Sequence, residues 1–406
     1  MHTPGADDTV ALPRDLKRAN RQSILRVLRR GEATTAAAIH AETGISRPTV
    51  MRALQDWRQA GVVKSLGLGS ATSAGGKKPE LFVFADPRKI LCINLWPREI
   101  TLALSGLTGD VYGLTAFPCP YGDTLAGALN ALKDASAVFL PQQGVTLTDL
   151  YGVALSVPGT VDAASMTLRY NSQAPGWGVN VCLADALRPI FGNAVRYAAD
   201  NAGKAAGRAV LPDRPDYAER RLLTLFTTWG VSACMIERGH VLSGRDSLIG
   251  EIGHMLISDT GPALCGCGKR GCLESLVSLS HVQSLLEQAG AARLWQEEPL
   301  TFRRLFRFSE AGDPAARQVV RYLAHCFAVA LHNLSLSYNQ DTVLFQGDFA
   351  WADEHFHQSL LMELKQFRYY PAGDPFSLLY DRRELPLLSA RGAAALLRRT
   401  YFNDLT

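Results

Sequence analysis

The chain has 406 residues, 47% hydrophobic and 20% charged, with a net charge of +4 and eight cysteines. Such a composition excludes a disordered or low-complexity chain, and the length exceeds one ordinary core, so two or three domains are expected. No apolar run is long enough to cross a bilayer, residues 1–13 lack signal-peptide character, and Cys92, Cys119, Cys182, Cys234 and Cys326 lie scattered as free thiols, which predicts a cytoplasmic protein with no membrane partner.

Charge is unevenly placed. Residues 1–90 hold 15 Lys/Arg against 8 Asp/Glu, a net of +7, which leaves −3 for the remainder. A basic head on a mildly acidic body suggests a nucleic-acid-binding module, although a solvated basic face is common. Local pattern strengthens the suggestion. Leu16, Ile24, Val27 and Leu28 recur at helical spacing and Gly31 closes that helix. A second short helix is expected from a Thr34/Thr35 cap through Ile39, ending at Gly44. Ser46 caps a third over residues 47–60, with Pro48 tolerable in its first turn. Val50, Leu54 and Trp57 share one face of it and pack inward. Ser46, Arg47, Thr49 and Arg52 remain near its outward N-terminal half, where a recognition helix reaches base edges. Two short strands around a Gly/Ser-rich tip at 67–76 read as a wing, with Lys77 and Lys78 placed to meet phosphates. A helical interaction module without a DNA partner is the plainer alternative for this segment.

The body begins near Lys89. Strands are expected over residues 90–95, 100–105, 111–117 and 150–157, with a helix over 125–139 between the last two. Helices are expected over 276–286, 314–337, 356–367 and 390–401. Alternating strands and helices argue an α/β architecture.

Residues 250–274 carry the densest chemistry. Cys265, Cys267 and Cys272 follow a CxCxxxxC spacing, with His254 upstream. Three thiolates and an imidazole complete a tetrahedral shell, and a shell with no vacant position is structural zinc rather than a hydrolytic centre. A cysteine-rich turn without metal is the alternative; the third Cys, the His and the interleaved glycines favour zinc.

The paired signatures Glu251-Ile-Gly-His254 and Cys265-x-Cys267-Gly-x-x-Gly-Cys272-Leu-Glu274 resemble those of the ROK family of repressors and sugar kinases. The resemblance implies a winged helix at residues 1–85 ahead of an actin-like (ribonuclease H-like), two-lobed body of the sugar-kinase type. Its first lobe spans 86–200, with 388–406 returning to it; its second, with the zinc motif, spans 201–387. It further implies that Glu251, His254 and Glu274 bind sugar hydroxyls while His254 also ligates zinc. Asn171 matches the segment that closes over the sugar. Asp200 matches the kinases' catalytic base, although Ala199 stands where the family has Asn and a helix cap is an equal role for Asp200. Three stretches that handle nucleotide in the kinases depart from the pattern: Asn94-Leu95-Trp96-Pro97-Arg98 replaces Asp-x-Gly-Gly-Thr, and only Gly230 and Gly347 remain of two glycine runs. A phosphate cradle needs several glycines, so the resemblance without its phosphate grip points to a sensor that is not an enzyme.

The expectation is a sugar-responsive repressor that binds a double-stranded DNA operator and a sugar or sugar-phosphate effector, and works as a dimer or tetramer with structural zinc. The competing expectations are an active sugar kinase with a fused DNA-binding head, and a repressor that responds to no ligand.

Overall fold

The computed structural model describes residues 13–69, 78–259, 264–367 and 376–406; Lys77 and the wing tip at 70–76 lie outside them. The head runs α1 (Pro13–Leu28), β1 (Thr34–Thr35), α2 (Ala36–Thr43), α3 (Arg47–Gln59), β2 (Val63–Leu68) and β3 (Glu80–Phe84). Thr35 Oγ1 accepts the Ala38 amide at the start of α2, Gly44 ends that helix at φ 71°, and Ser46 Oγ accepts the Thr49 amide ahead of α3. β1 pairs with β3 and adds a third strand to the wing; two residues are too few to show an alternation in the sequence. Leu16 departs from expectation. It is 57% exposed, and Ile24, Leu25, Val27 and Leu28 form the buried face of α1.

In the first lobe β4 (Lys89–Leu95), β5 (Glu99–Gly106) and β6 (Val111–Pro118) form an antiparallel meander. After α4 (Leu125–Gln142), β7 (Leu150–Val157) pairs parallel with β4 and is buried throughout, as a strand covered on both faces must be. A small sheet of β8 (Thr160–Asp162), β9 (Thr167–Tyr170) and β10 (Val181–Cys182) leads to α5 (Leu183–Phe191) and β11 (Arg196–Asn201). The main sheet is ordered β11-β7-β4-β5-β6.

A seven-residue helix, α6 (Ala202–Arg208), connects to the second lobe, where β12 (Arg221–Thr227), β13 (Val231–Glu237) and β14 (His240–Val241) repeat the meander. Then come α7 (Leu273–Leu276), α8 (Leu279–Gln288), α9 (Phe302–Glu310), α10 (Pro314–Ser337), β15 (Thr342–Gly347), α11 (Glu354–Gln366), β16 (Ser377–Asp381) and α12 (Leu385–Asp404). The order β14-β13-β12-β15-β16 and its strand senses duplicate the first sheet, which makes the body the two-lobed, actin-like α/β fold. The single helix expected over 276–286 is divided, because Ser278 caps α8 by accepting the His281 amide.

Two helices decide how the parts join. By length and composition α10 is apolar enough to cross a membrane, contrary to expectation. Val319, Val320, Leu323, Phe327 and Leu331 instead bury it in the second lobe's core against Phe345, Phe349 and Phe356. α12 is longer than expected and lies on the first sheet, crossing α6 so closely that a Cβ on Gly392 would sit 1.7 Å from the Ala205 carbonyl oxygen. Its far end reaches the head. Ala393, Leu397, Tyr401 and Phe402 share one hydrophobic cluster with Ile24, Leu28, Leu54, Trp57 and Phe82.

Candidate functional site: reading helix, metal centre and interlobe cleft

On α3, Val50, Ala53, Leu54 and Trp57 are buried, which leaves Ser46, Arg47, Thr49 and Arg52 exposed on the opposite face. Ser46 and Thr49 hydroxyls lie 2.9 Å apart and engage each other. The neighbouring arginines Arg21, Arg30 and Arg58 pair with Asp56, Glu42 and Glu80. Arg47 and Arg52 have no such partner among the described residues, so their charge is available to a phosphate or a guanine edge. Lys78 is exposed at the base of the wing, and Lys77 falls outside the described residues. Behind α3, Trp57 Nε1 donates to the Leu405 carbonyl at 3.3 Å and Arg21 Nε to the same oxygen at 3.1 Å. The reading helix therefore rests on the last turn of the chain.

The four expected metal ligands converge. Donor atoms of His254, Cys265, Cys267 and Cys272 all lie within 4.8 Å of one another, with Cys267 Sγ 3.6 Å from Cys272 Sγ and Cys265 Sγ 3.5 Å from His254 Nδ1. Tetrahedral zinc about 2.3 Å from each sulfur puts two sulfurs ~3.8 Å apart, so the donor set fits that ion. Loop backbone makes this possible: Gly271 has φ 79°, and a Cβ there would meet the Ser258 carbonyl oxygen at 1.9 Å.

The metal loop forms one wall of the cleft between the lobes. Glu251, His254 and Glu274 line a pocket there with Trp96, Gln173, Asn201 and Thr228. Glu274 Oε2 accepts the Val231 amide at 2.9 Å, and a Cβ on Gly230 would come within 2.6 Å of that oxygen and displace it. Burial pushes the Glu251 carboxyl up, with Thr160, His254 and Lys204 pulling it back. Asn171 Nδ2 and Gln173 Oε1 are buried beside the pocket without a hydrogen-bond partner among the described residues. Gln173 and Asn201 are not candidates from the sequence; an isolated Gln, and an Asn beside the better-matched Asp200, carry no motif of their own. Asn171 itself is fully buried and its Oδ1 accepts the Gln173 amide. Asp200 turns away from this pocket: its Oδ2 is held by Arg208 Nη1 at 2.9 Å, and the cap of α6 is made by Asn201, one residue on. The pocket is only about 40 Å³, far below the ~300 Å³ at the low end of ligand sites, but it adjoins cavities of about 620 and 470 Å³ along the cleft.

Comparison with known proteins places this architecture. The sequence model of the ROK family matches residues 91–400. The chain belongs to the ROK family. It is 23% identical over 416 aligned positions to the N-acetylglucosamine repressor of Escherichia coli O6:H1, covering 99% of this chain and 98% of that one. It is 26% identical to a glucokinase of Halalkalibacterium halodurans, over 68% of this chain and 83% of the enzyme. Among solved structures, a ROK family transcriptional regulator, a homologue of the Escherichia coli MLC protein, superposes with a TM-score of 0.75 at 19% identity, over 96% and 98% of the two chains.

Within this ROK fold, the three altered nucleotide stretches have specific structures. Asn94 Oδ1 accepts the Trp96 indole N–H at 2.9 Å, and the Trp96 ring stacks on Phe226 and meets Trp229 edge-on. Residues 228–230 form a tight hairpin turn between β12 and β13, closed by Thr228 N donating to the Gly230 carbonyl, with Trp229 at its tip 60% exposed. At the end of β15, Asp348 is pushed up to about 6 by burial, partly offset by Arg303, whose guanidinium stacks over Trp351. Indole rings and side-chain pairs, rather than bare backbone, make up these three stretches.

Proposed function

We propose that this chain is a sugar-responsive transcriptional repressor whose body senses ligand without catalysis. Residues 1–85 form the DNA-reading head, 86–200 with 388–406 the first lobe, and 201–387 the second. Ser46, Arg47, Thr49, Arg52 and the Lys77-Lys78 pair meet the operator duplex. Asn171, Glu251, His254 and Glu274 hold the sugar or sugar phosphate, with Asp200 reachable only if Arg208 releases it. A structural zinc on His254, Cys265, Cys267 and Cys272 fixes the loop that presents Glu251 and Glu274. Two heads acting together read a pseudo-palindromic site, so a cytoplasmic dimer or tetramer is the working unit.

The observation that carries this reading is the hydrogen bond from Trp57 of the reading helix to the Leu405 carbonyl, within a core shared by head and first lobe. Any ligand that changes the lobe angle must also move α3. The pocket that holds Glu251, His254 and Glu274 is narrow but continues into a larger cleft cavity also lined by Gln173, Gly230 and Glu274, so a ligand that widens it would favour an opened arrangement. The test uses the full chain to select duplexes from a random library, followed by titration with sugars, amino sugars and their 6-phosphates. One sugar should change affinity for the selected duplex at least tenfold. Failure to enrich any duplex ends the proposal.

Two other readings have an observation each. Asp200 stands at the kinase base position and the glucokinase resemblance is real, so an active kinase is tested with ATP, magnesium and a hexose panel; turnover above background would replace the sensor. The small pocket suits a repressor that ignores ligand, and a thermal-shift screen without a single responding sugar would favour it.

A further inference from the structure

A cavity of about 550 Å³ lies where α1, the end of α6, the β13–β14 hairpin and the second half of α12 meet. Arg26 and Arg29 enter it from α1, Arg208 from α6, and Arg398 and Arg399 from α12, while among the described residues no Asp or Glu lines it. Two of the five are committed: Arg208 to Asp200, and Arg29 in a stack over Phe402 at 4.6 Å. Arg398 is not. It is only 6% exposed, yet its Nε has no hydrogen-bond partner among the described residues. A buried guanidinium donor without an acceptor is disfavoured unless something completes it.

The surroundings of Arg398 point to an anion. Burial first, and then the like charges of Arg29 and Arg391, depress its proton affinity to about 10; Cys92 and Asp110 oppose this weakly. Asp213 cannot serve as the missing partner, because it already holds Arg383 and Arg391. The Arg398 guanidinium packs against Gly109, where any Cβ would strike its Nη1. Guanidinium forks match the tetrahedral oxygens of phosphate bidentately, and several forks from separate elements can share one such group.

We propose that this junction cavity binds a small polyvalent phosphate, free or esterified in a metabolite, and that the bound anion clamps the head against the body. Without the anion, guanidiniums from α1 and α12 repel across the junction; with it, they share a counter-charge. The site is separate from the interlobe cleft but linked to it by α6. That helix begins in the cleft pocket at Asn201, Ala202 and Gly203 and ends in the junction at Arg208. The effect on DNA binding rests on the repressor reading; anion binding itself does not.

Calorimetric titration of the full chain at constant ionic strength, with inorganic pyrophosphate and separately with glycerol 2-phosphate, tests the site without DNA. Saturable binding is expected, with hydrogen exchange slowed in α1, and whichever compound binds more tightly distinguishes a free from an esterified phosphate. Arg26→Gln together with Arg399→Gln, both exposed and safe for folding, should weaken that binding at least tenfold. Arg398→Gln should abolish it. Absence of saturable binding by either compound, or affinity unchanged in the Arg26/Arg399 double variant, would overturn the proposal.

Discussion

Arg208 Nη1 donates to Asp200 Oδ2 at 2.9 Å, and the two side chains are only 17% and 3% exposed. Asp200 Oδ1 accepts the Asn201 amide at 2.8 Å, so both carboxylate oxygens are engaged. Removing one partner of a buried pair strands the other, at a cost of about 3–5 kcal/mol. Arg208→Ala should lose that much in chemical denaturation, and adding Asp200→Ala should recover part of it. Additive losses in the double-mutant cycle would mean that the pair contributes nothing.

The metal cluster predicts a stoichiometry. Purified protein should contain one zinc per chain by plasma mass spectrometry, and Cys267→Ser should lose it with a lower melting temperature. Chelator treatment of the unmodified chain should reproduce the loss. Full metal content in the variant would refute the ligand assignment.

For the reading helix the discriminating quantity is a ratio. Arg47→Ala or Arg52→Ala should each cost about 1–3 kcal/mol against a selected duplex and less against random DNA. Equal losses on both would assign these residues to backbone phosphates alone.

Asp348 makes stability depend on pH in a definite direction. Its folded-state value, about 6, lies above the 3.8 of an exposed aspartate. The penalty on the folded form is therefore absent below about pH 4, grows between pH 4 and 6, and is constant above that. Asp348→Asn should stabilise the protein by about 1–2 kcal/mol at pH 8 and leave it unchanged near pH 4, read from denaturation midpoints at the two values. A variant that gains as much at pH 4 would show that the effect is not ionisation.

Gly230 offers a local test of the cleft. A methyl group there must displace Glu274 or Gln173. Gly230→Ala should reduce the response to the inducing sugar at least tenfold while DNA affinity stays near that of the unmodified chain. Unchanged response would remove Glu274 from the ligand site.

Much of this was legible in the residues. The expected α3 differs from the observed Arg47–Gln59 by one residue, because a serine cap and a three-residue apolar face are local signals. The helix over 314–337 coincides with α10, bounded by the Asp313 cap and Pro314. Leu16 belongs to the apolar pattern of α1 but extends past the surface that α12 covers. α9 has strong helical periodicity, yet falls in a stretch with no motif to draw attention to it.

The amino-acid sequence by itself determined the head, the metal shell and the loss of phosphate glycines, because caps, short spacings and missing residues act within a few positions. Tertiary structure alone decided that Asp200 is claimed by Arg208, that Trp96 stacks on Phe226 across the cleft, and that arginines from three helices face one cavity. Trp57 and the Leu405 carbonyl it binds stand 348 positions apart. No local pattern encodes such a contact, since it depends on how whole elements pack.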